Sequence, residues 1–244
     1  MTPTDEFGGV RLYHGDAMRV LNALPPESVQ AVITDPPYGI AYQSAWRTDK
    51  AKRHAKIAGD DLPCVWWLPA AARCLSVGGC LVCFCRWDVA EAFRSAIGWA
   101  GLDVVAQLVW DRMVHGMGDL TGEPAPQHDL MWFAVKGRYA LPGRRPTSVY
   151  REQRLSGDEL THPCEKPVGL MADIASDFAP PDGTVLDPFM GSGTTGIGCM
   201  QTGRKFIGCE LDPTHYATAL RRLRHADGAG SLFDPKQLTL DPTL

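Results

Sequence analysis

No apolar run in this sequence reaches the length of a membrane span, and the first residues, Met1-Thr2-Pro3-Thr4-Asp5-Glu6, are polar and acidic. Neither a bilayer segment nor a secretory signal is expected, and the expected location is the cytoplasm. A strong excess of one charge is also missing. With 24 Lys and Arg against 28 Asp and Glu, the net charge is −4, so any contact with a polyanion needs locally concentrated basic residues. Cys80 and Cys83 form a Cys-x-x-Cys pair, but no second pair stands at zinc-finger spacing. Their setting, with Cys85 in an apolar run, reads as a buried strand of small core side chains, and no metal is expected. There is no Gly-x-Gly-x-x-Gly and no Gly-Lys-Ser/Thr, which disfavours a dinucleotide fingerprint and a nucleoside-triphosphate loop. Internal repeats and low-complexity segments are absent as well.

What remains is 244 residues, 45% hydrophobic and 21% charged, enough for one large α/β domain or two small ones. Val10 to Tyr13 reads as a strand, Ala17 to Leu24 as a helix, and Ala31 to Thr34 as a second strand. So short a β-α-β unit implies parallel pairing. Asp16 and Asp35 then both stand at carboxyl ends of strands. Asp16 also suits a helix N-cap, and the two roles are compatible. A helix is expected from about Leu62 to Ser76, kinked at Pro69 and stopped by Gly78-Gly79, followed by the cysteine strand. Asp88 is expected to cap a helix to Gly98, with strands over Val104–Trp110 and Leu130–Val135. Later come a helix from Val168 to Phe178, a strand Thr184–Leu186, a helix through Thr202, a strand from Arg204 and a helix through Arg224.

Two stretches carry chemistry. In Asp35-Pro36-Pro37-Tyr38 each proline fixes its own φ and pushes the residue before it towards an extended conformation. A carboxylate and an aromatic ring therefore ride on stiff backbone at a strand end, where ligands bind in open α/β sheets. The second stretch is Asp187-Pro188-Phe189-Met190-Gly191-Ser192-Gly193-Thr194-Thr195, a glycine turn between strand and helix, with Glu210 ending the next strand. This has the layout of a nucleoside half-site, in which glycines admit a ligand and the later acid takes ribose hydroxyls. Asp187 is a poor neighbour for a pyrophosphate and a good one for an ammonium group. S-adenosylmethionine, an adenosine carrying an amino acid, satisfies each part: Asp187 at the amino group, glycines under the methionine portion and Glu210 on the ribose.

Two segments are locally basic. Arg47, Lys50, Lys52 and Arg53 fall in the loop 43–56, and Arg138, Arg144, Arg145 and Arg151 fall in 136–160, interleaved with Tyr139 and Tyr150. Solvated surface is one reading of both; phosphate contact with base stacking is the other.

Taken together, these motifs resemble those of the DNA amino-methyltransferases that act on N6 of adenine or N4 of cytosine. The Asp-Pro-Pro-Tyr stretch resembles their catalytic signature and the glycine turn their cofactor motif. Their order is that of the circularly permuted, β-class members. The resemblance implies a Rossmann-like α/β fold with a doubly wound, mostly parallel sheet. Residues 1–135 would form the catalytic half, 136–160 a small target-recognition segment, 161–226 the cofactor half and 227–244 a tail. It implies S-adenosylmethionine as cofactor, held by Asp16, Asp35, Lys166, Asp187, Pro188, Phe189, Gly191, Ser192, Gly193, Thr194, Thr195 and Glu210. Lys166, in the turn His162-Pro163-x-x-Lys166-Pro167, would lie near the cofactor carboxylate. Asp35, Pro36, Pro37 and Tyr38 would be catalytic, and double-stranded DNA the partner, with one base flipped into the pocket. Asp at the first position of the catalytic motif favours adenine N6; cytosine N4 is the alternative. RNA or protein methylation and a catalytically silent DNA-binding relative are the more distant readings. A bacterial or phage origin, a link to restriction–modification and a homodimer are further expectations of the resemblance.

Overall fold

The computed structural model describes residues 1–38, 64–116, 121–122, 124–154 and 165–229. Among the described residues, nine strands form one sheet in the order β1-β2-β9-β8-β3-β4-β6-β5-β7. They are β1 (Asp5–Phe7), β2 (Val10–His14), β3 (Val29–Thr34), β4 (Leu75–Cys85), β5 (Asp103–Asp111), β6 (His128–Val135), β7 (Val149–Arg151), β8 (Thr184–Asp187) and β9 (Lys205–Glu210). β2, β9, β8, β3 and β4 run parallel to one another, and β7 runs parallel to β5. Among the described residues, antiparallel pairing is confined to β1 with β2 and to β6 with β4 and β5.

The helices are α1 (Ala17–Ala23), α2 (Leu68–Cys74), α3 (Ala90–Trp99), α4 (Val168–Phe178), α5 (Thr194–Gln201) and α6 (Pro213–Ala229). Leu170, Met171, Ile174 and Phe178 of α4, Ile197 of α5 and Leu223 of α6 pack on one face of the sheet. Val20 and Leu21 of α1, Leu68 of α2, and Phe93 and Ile97 of α3 pack on the other. The central strands are therefore buried on both faces, which is why they read as continuous apolar runs. The chain leaves β8 towards β9 on one side, while β3 lies on the other. That reversal is the switch point of a doubly wound sheet, and a cleft opens at the carboxyl ends of the strands there.

Several local expectations are corrected. Pro69 stands in the first turn of α2, where its missing N–H is no loss, and does not kink a longer helix. Gly78-Gly79 does not stop that helix. Both lie inside β4, where the register with β3 shifts between Val29 and Ala31 and Gly78 takes φ +80°. Asp88 pairs with Arg86, while Val89 occupies the N-cap of α3. The segment after Val135 is not wholly irregular, since β7 adds a strand to the sheet beside β5. Cys80, Cys83 and Cys85 are free and buried in β4, as their sequence setting indicates.

α4 and α5 touch so closely that a Cβ on Gly198 would stand 2.7 Å from the Ala172 nitrogen and 2.8 Å from the Met171 carbonyl carbon. Backbone cannot yield as a side-chain tip can. Gly198→Ala is expected to cost about 1–3 kcal/mol in urea unfolding. Gly98→Ala, in α3 with open space around it, is expected to gain up to about 1 kcal/mol from helix propensity.

Candidate active site

Because β2, β9, β8 and β3 are parallel, their carboxyl ends share one edge of the sheet. Asp16, Glu210, Asp187 and Asp35 all stand along that edge, contributed by four strands that lie side by side.

Asp187 is 2% exposed and carries the turn. Its Oδ1 accepts from the Thr34 hydroxyl at 2.7 Å and from the Phe189 N–H at 3.1 Å, and its Oδ2 accepts from the Thr195 hydroxyl at 2.7 Å. Burial pushes the carboxyl up to about 6, against the pull of Thr195, Thr34 and Phe189. The expectation that Asp187 meets a ligand's ammonium group is thus revised: its oxygens are turned inward and tie β3 to the glycine turn. Ser192, Thr194 and Thr195 are buried too, so their hydroxyls shape the turn from inside. The turn opens outward at Gly191, which has φ +52° and open space where a Cβ would sit. Gly193 has φ +81° and serves as the N-cap of α5. Pro188 is buried behind the turn, and Phe189 is half-buried against Trp67.

Glu210 closes the opposite wall. Its Oε2 accepts from the Gly191 N–H at 3.0 Å and its Oε1 from the Asp212 N–H at 2.8 Å. Burial raises its carboxyl above the usual range. Asp16 caps α1 by accepting from the Arg19 N–H at 3.0 Å. A backbone bond from Gly15 to the Glu210 carbonyl, 2.9 Å, holds the Asp16 loop beside Glu210. Asp16, Gly191 and Glu210 are all partly exposed on this edge, with the exposed side chain of Leu211 beyond them.

On the other side of Asp187 stands Asp35. Its Oδ1 accepts from the Tyr38 hydroxyl and its Oδ2 from Lys166 Nζ at 2.5 Å. Lys166 also lies 4.9 Å over the Phe84 ring and 6.0 Å from the Trp110 ring. The cation faces Asp35, one of the residues expected beside it at the cofactor, from an aromatic slot. Tyr38 is half-buried with its ring edge-on to Phe93. Burial, reinforced by Asp35, keeps its hydroxyl protonated, a donor to the carboxylate. Pro36 is buried and Pro37 half-buried, so the carboxylate and the ring project from a fixed support.

The basic residues separate. Arg138 lies by the amino-terminal end of β4, its carbonyl 3.3 Å from the Cβ position of Gly78, at the sheet edge opposite Asp35. Tyr139 packs on Phe133 and donates to the Phe178 carbonyl, and the buried Tyr150 donates to Asp177, so neither ring is free for base stacking. Arg144, Arg145 and Arg151 line a pocket of about 420 Å³ between β7 and α4. Arg151 reaches the carboxyl edge, 3.8 Å from Asp111. Arg47, Lys50, Lys52 and Arg53 lie outside the described residues, as does His162. Thr34, Glu165 and Arg222 belong to the site although no motif named them. Thr34 alone had a signal, its place directly before Asp35.

A family model described as DNA methylase, the N6/N4 group, matches residues 29–221. YubD of Escherichia coli (strain K12), a methylase by name, is 32% identical over 216 residues, covering 87% of this chain and 89% of its own. YhdJ of the same organism, a DNA adenine methyltransferase, is 26% identical over 264 residues, covering 87% of this chain and 82% of its own. Among solved structures, the M1.HpyAVI–SAM complex is 26% identical with a TM-score of 0.68, covering 88% of this chain and 100% of that one. The chain belongs to the N6-adenine/N4-cytosine DNA methyltransferase family.

Folding raises the Asp187 carboxyl from the ordinary 3.8 to about 6, so the native state binds that proton more tightly than the unfolded chain does. This contribution to stability is greatest below about pH 4 and is lost as pH rises through 6. Wild type is therefore expected to gain on Asp187→Asn when pH falls from 7 to 4, by up to about 3 kcal/mol. Urea unfolding of both proteins at the two pH values reads the difference; a constant gap would contradict it.

Proposed function

We propose that the chain transfers a methyl group from S-adenosylmethionine to the exocyclic N6 of an adenine in double-stranded DNA. The observation that carries this reading is Asp35, held on its proline turn beside the glycine turn and wired to Tyr38 and Lys166. The site fits the cofactor: acceptor-only carboxylates at Asp16 and Glu210 suit the donors of an adenosine, and the open backbone at Gly191 suits a close neighbour. The cofactor supplies an electrophilic sulfonium methyl. Asp187 acts on it only through the shape of the turn.

An exocyclic amino group is a poor nucleophile, because its lone pair is delocalised into the ring. Each oxygen of Asp35 already accepts one hydrogen bond and keeps a lone-pair direction for another. It takes one N–H of the target amine, and the Pro36 carbonyl takes the second. The nitrogen becomes tetrahedral, its lone pair aimed for in-line displacement: the N–C bond would form as the S–CH3 bond breaks, the thioether would leave neutral, and the nitrogen would shed its extra proton along the hydrogen bond to Asp35. Lys166 holds the carboxylate in place while it accepts. No sulfur nucleophile enters: burial pushes Cys85, near Asp35, up to about 12. The target base leaves the helix to reach this depth, and the face of Tyr38 is its stacking partner. Asp at the head of the motif, and the likeness to a named adenine methyltransferase, favour adenine.

Incubation with labelled S-adenosylmethionine and unmethylated genomic DNA, followed by nucleoside analysis, is expected to yield N6-methyladenine. N4-methylcytosine would replace the base assignment, and label on RNA alone would overturn DNA as substrate. Asp35→Asn is expected to lower kcat by about a hundredfold or more. Tyr38→Ala is expected to lower kcat more than it weakens cofactor binding by calorimetry; full turnover in that variant would remove the stacking role.

A further inference from the structure

Arg222, on α6, lies outside every sequence motif, yet it joins the two halves of the site. Its Nη1 donates to the Ser192 carbonyl at 2.9 Å and to Ser192 Oγ at 2.7 Å, and reaches Thr194 Oγ1 at 3.3 Å. Its Nη2 forms an ion pair with Glu165, and the two side chains are 19% and 3% exposed. Glu165 is followed directly by Lys166, whose Nζ lies on Asp35, and then by Pro167, the N-cap of α4. The short peptide 165–167 is thus pinned at one end by Arg222 and at the other by α4. Between them it presents the ammonium to Asp35. A guanidinium fork fixes direction as well as distance, which a point charge would not. Buried ion pairs are weak contributors to stability compared with apolar packing of the same volume, so this one points to a need for geometry.

We infer that Arg222 is a positioning residue for methyl transfer: through Glu165 it sets where Lys166 meets Asp35, and through Ser192 and Thr194 it sets the glycine turn. The order of the cofactor turn and the placement of the catalytic carboxylate then share one support. The inference rests on Asp35 as the acceptor of the target amine.

A mutant cycle on the full chain tests it, with S-adenosylmethionine and unmethylated genomic DNA as substrates. Arg222→Gln is expected to raise KM for S-adenosylmethionine several-fold and to lower kcat about tenfold. Lys166→Met is expected to lower kcat by a similar factor. In the Lys166→Met background, Arg222→Gln should change kcat by less than about twofold while the rise in KM persists, because its effect on turnover travels through Lys166. A merely structural role predicts the same loss of kcat in both backgrounds, and that result overturns the inference. So does an unchanged kcat in Lys166→Met alone. If Arg222→Gln does not fold, Glu165→Gln breaks the same pair from the other side with its shape kept, and the same two outcomes apply. Asp35→Asn separates the two levels. Full activity there removes the acceptor assignment itself, whereas an inactive Asp35→Asn with an additive cycle removes only the role of Arg222.

Discussion

The buried carboxylate of Asp187 is the constraint on which the site depends. Nothing else described connects the end of β3 to the glycine turn so directly: Thr34, the last residue of β3, and Thr195, in the first turn of α5, donate to its two oxygens. Desolvating that charge is costly and is offset only in part, as its raised carboxyl shows. The protein bears this cost at the switch point of the sheet. What it obtains is a fixed spacing between the residue before Asp35 and the glycine turn. For a reaction whose barrier falls mainly through alignment, a displacement of an ångström at this point is as damaging as the loss of a functional group.

The electrostatics around this tie are asymmetric. Asp16, Glu210 and Asp187 stand in a row along the carboxyl edge, and the donors on them are backbone N–H groups and hydroxyls. Asp35, one strand further, has a full cation against it in Lys166. Carboxylates are thereby given different work by their neighbours: hydroxyl and amide donors hold a shape, whereas an ammonium orients a carboxylate through a charge-assisted hydrogen bond. The aromatic slot of Phe84 and Trp110 suits Lys166, since a ring face stabilises a cation without competing for its hydrogen bonds.

Much of this was legible in the sequence where local rules decide. The proline turn, the glycine turn and the strands before them follow from backbone restriction and apolar runs, and β3, β8 and β9 stand where those rules put them. The parallel order of the strands followed from the spacing of β-α-β units. What could not be read were facts of distance. Asp187 is spelled as a ligand residue, and only the approach of Thr34 from a strand 153 positions away turns it inward. Lys166 finds Asp35 across 131 positions, and Arg222 finds Ser192 across 30. Gly78-Gly79 reads as a stop because glycine usually breaks elements; here it absorbs a register shift inside a strand.

The same limit applies to charge. Three of the basic residues close helix ends: Arg73 donates to the Leu21 and Leu24 carbonyls after α1, Lys136 to those of Ala72 and Leu75 after α2, and Arg204 to those of Ser176 and Ala179 after α4. Their charges complement helix dipoles and satisfy orphan carbonyls, so they do not count towards a surface for phosphate. A tally of Lys and Arg along 136–160 therefore overstates its nucleic-acid potential, with Lys136 committed to α2 and Arg138 on the far edge of the sheet. Beyond Arg138, the exposed arginines of the described part of that segment are Arg144, Arg145, Arg151 and Arg154; the first three line the pocket between β7 and α4, and Arg151 stands at the carboxyl edge, 3.8 Å from Asp111.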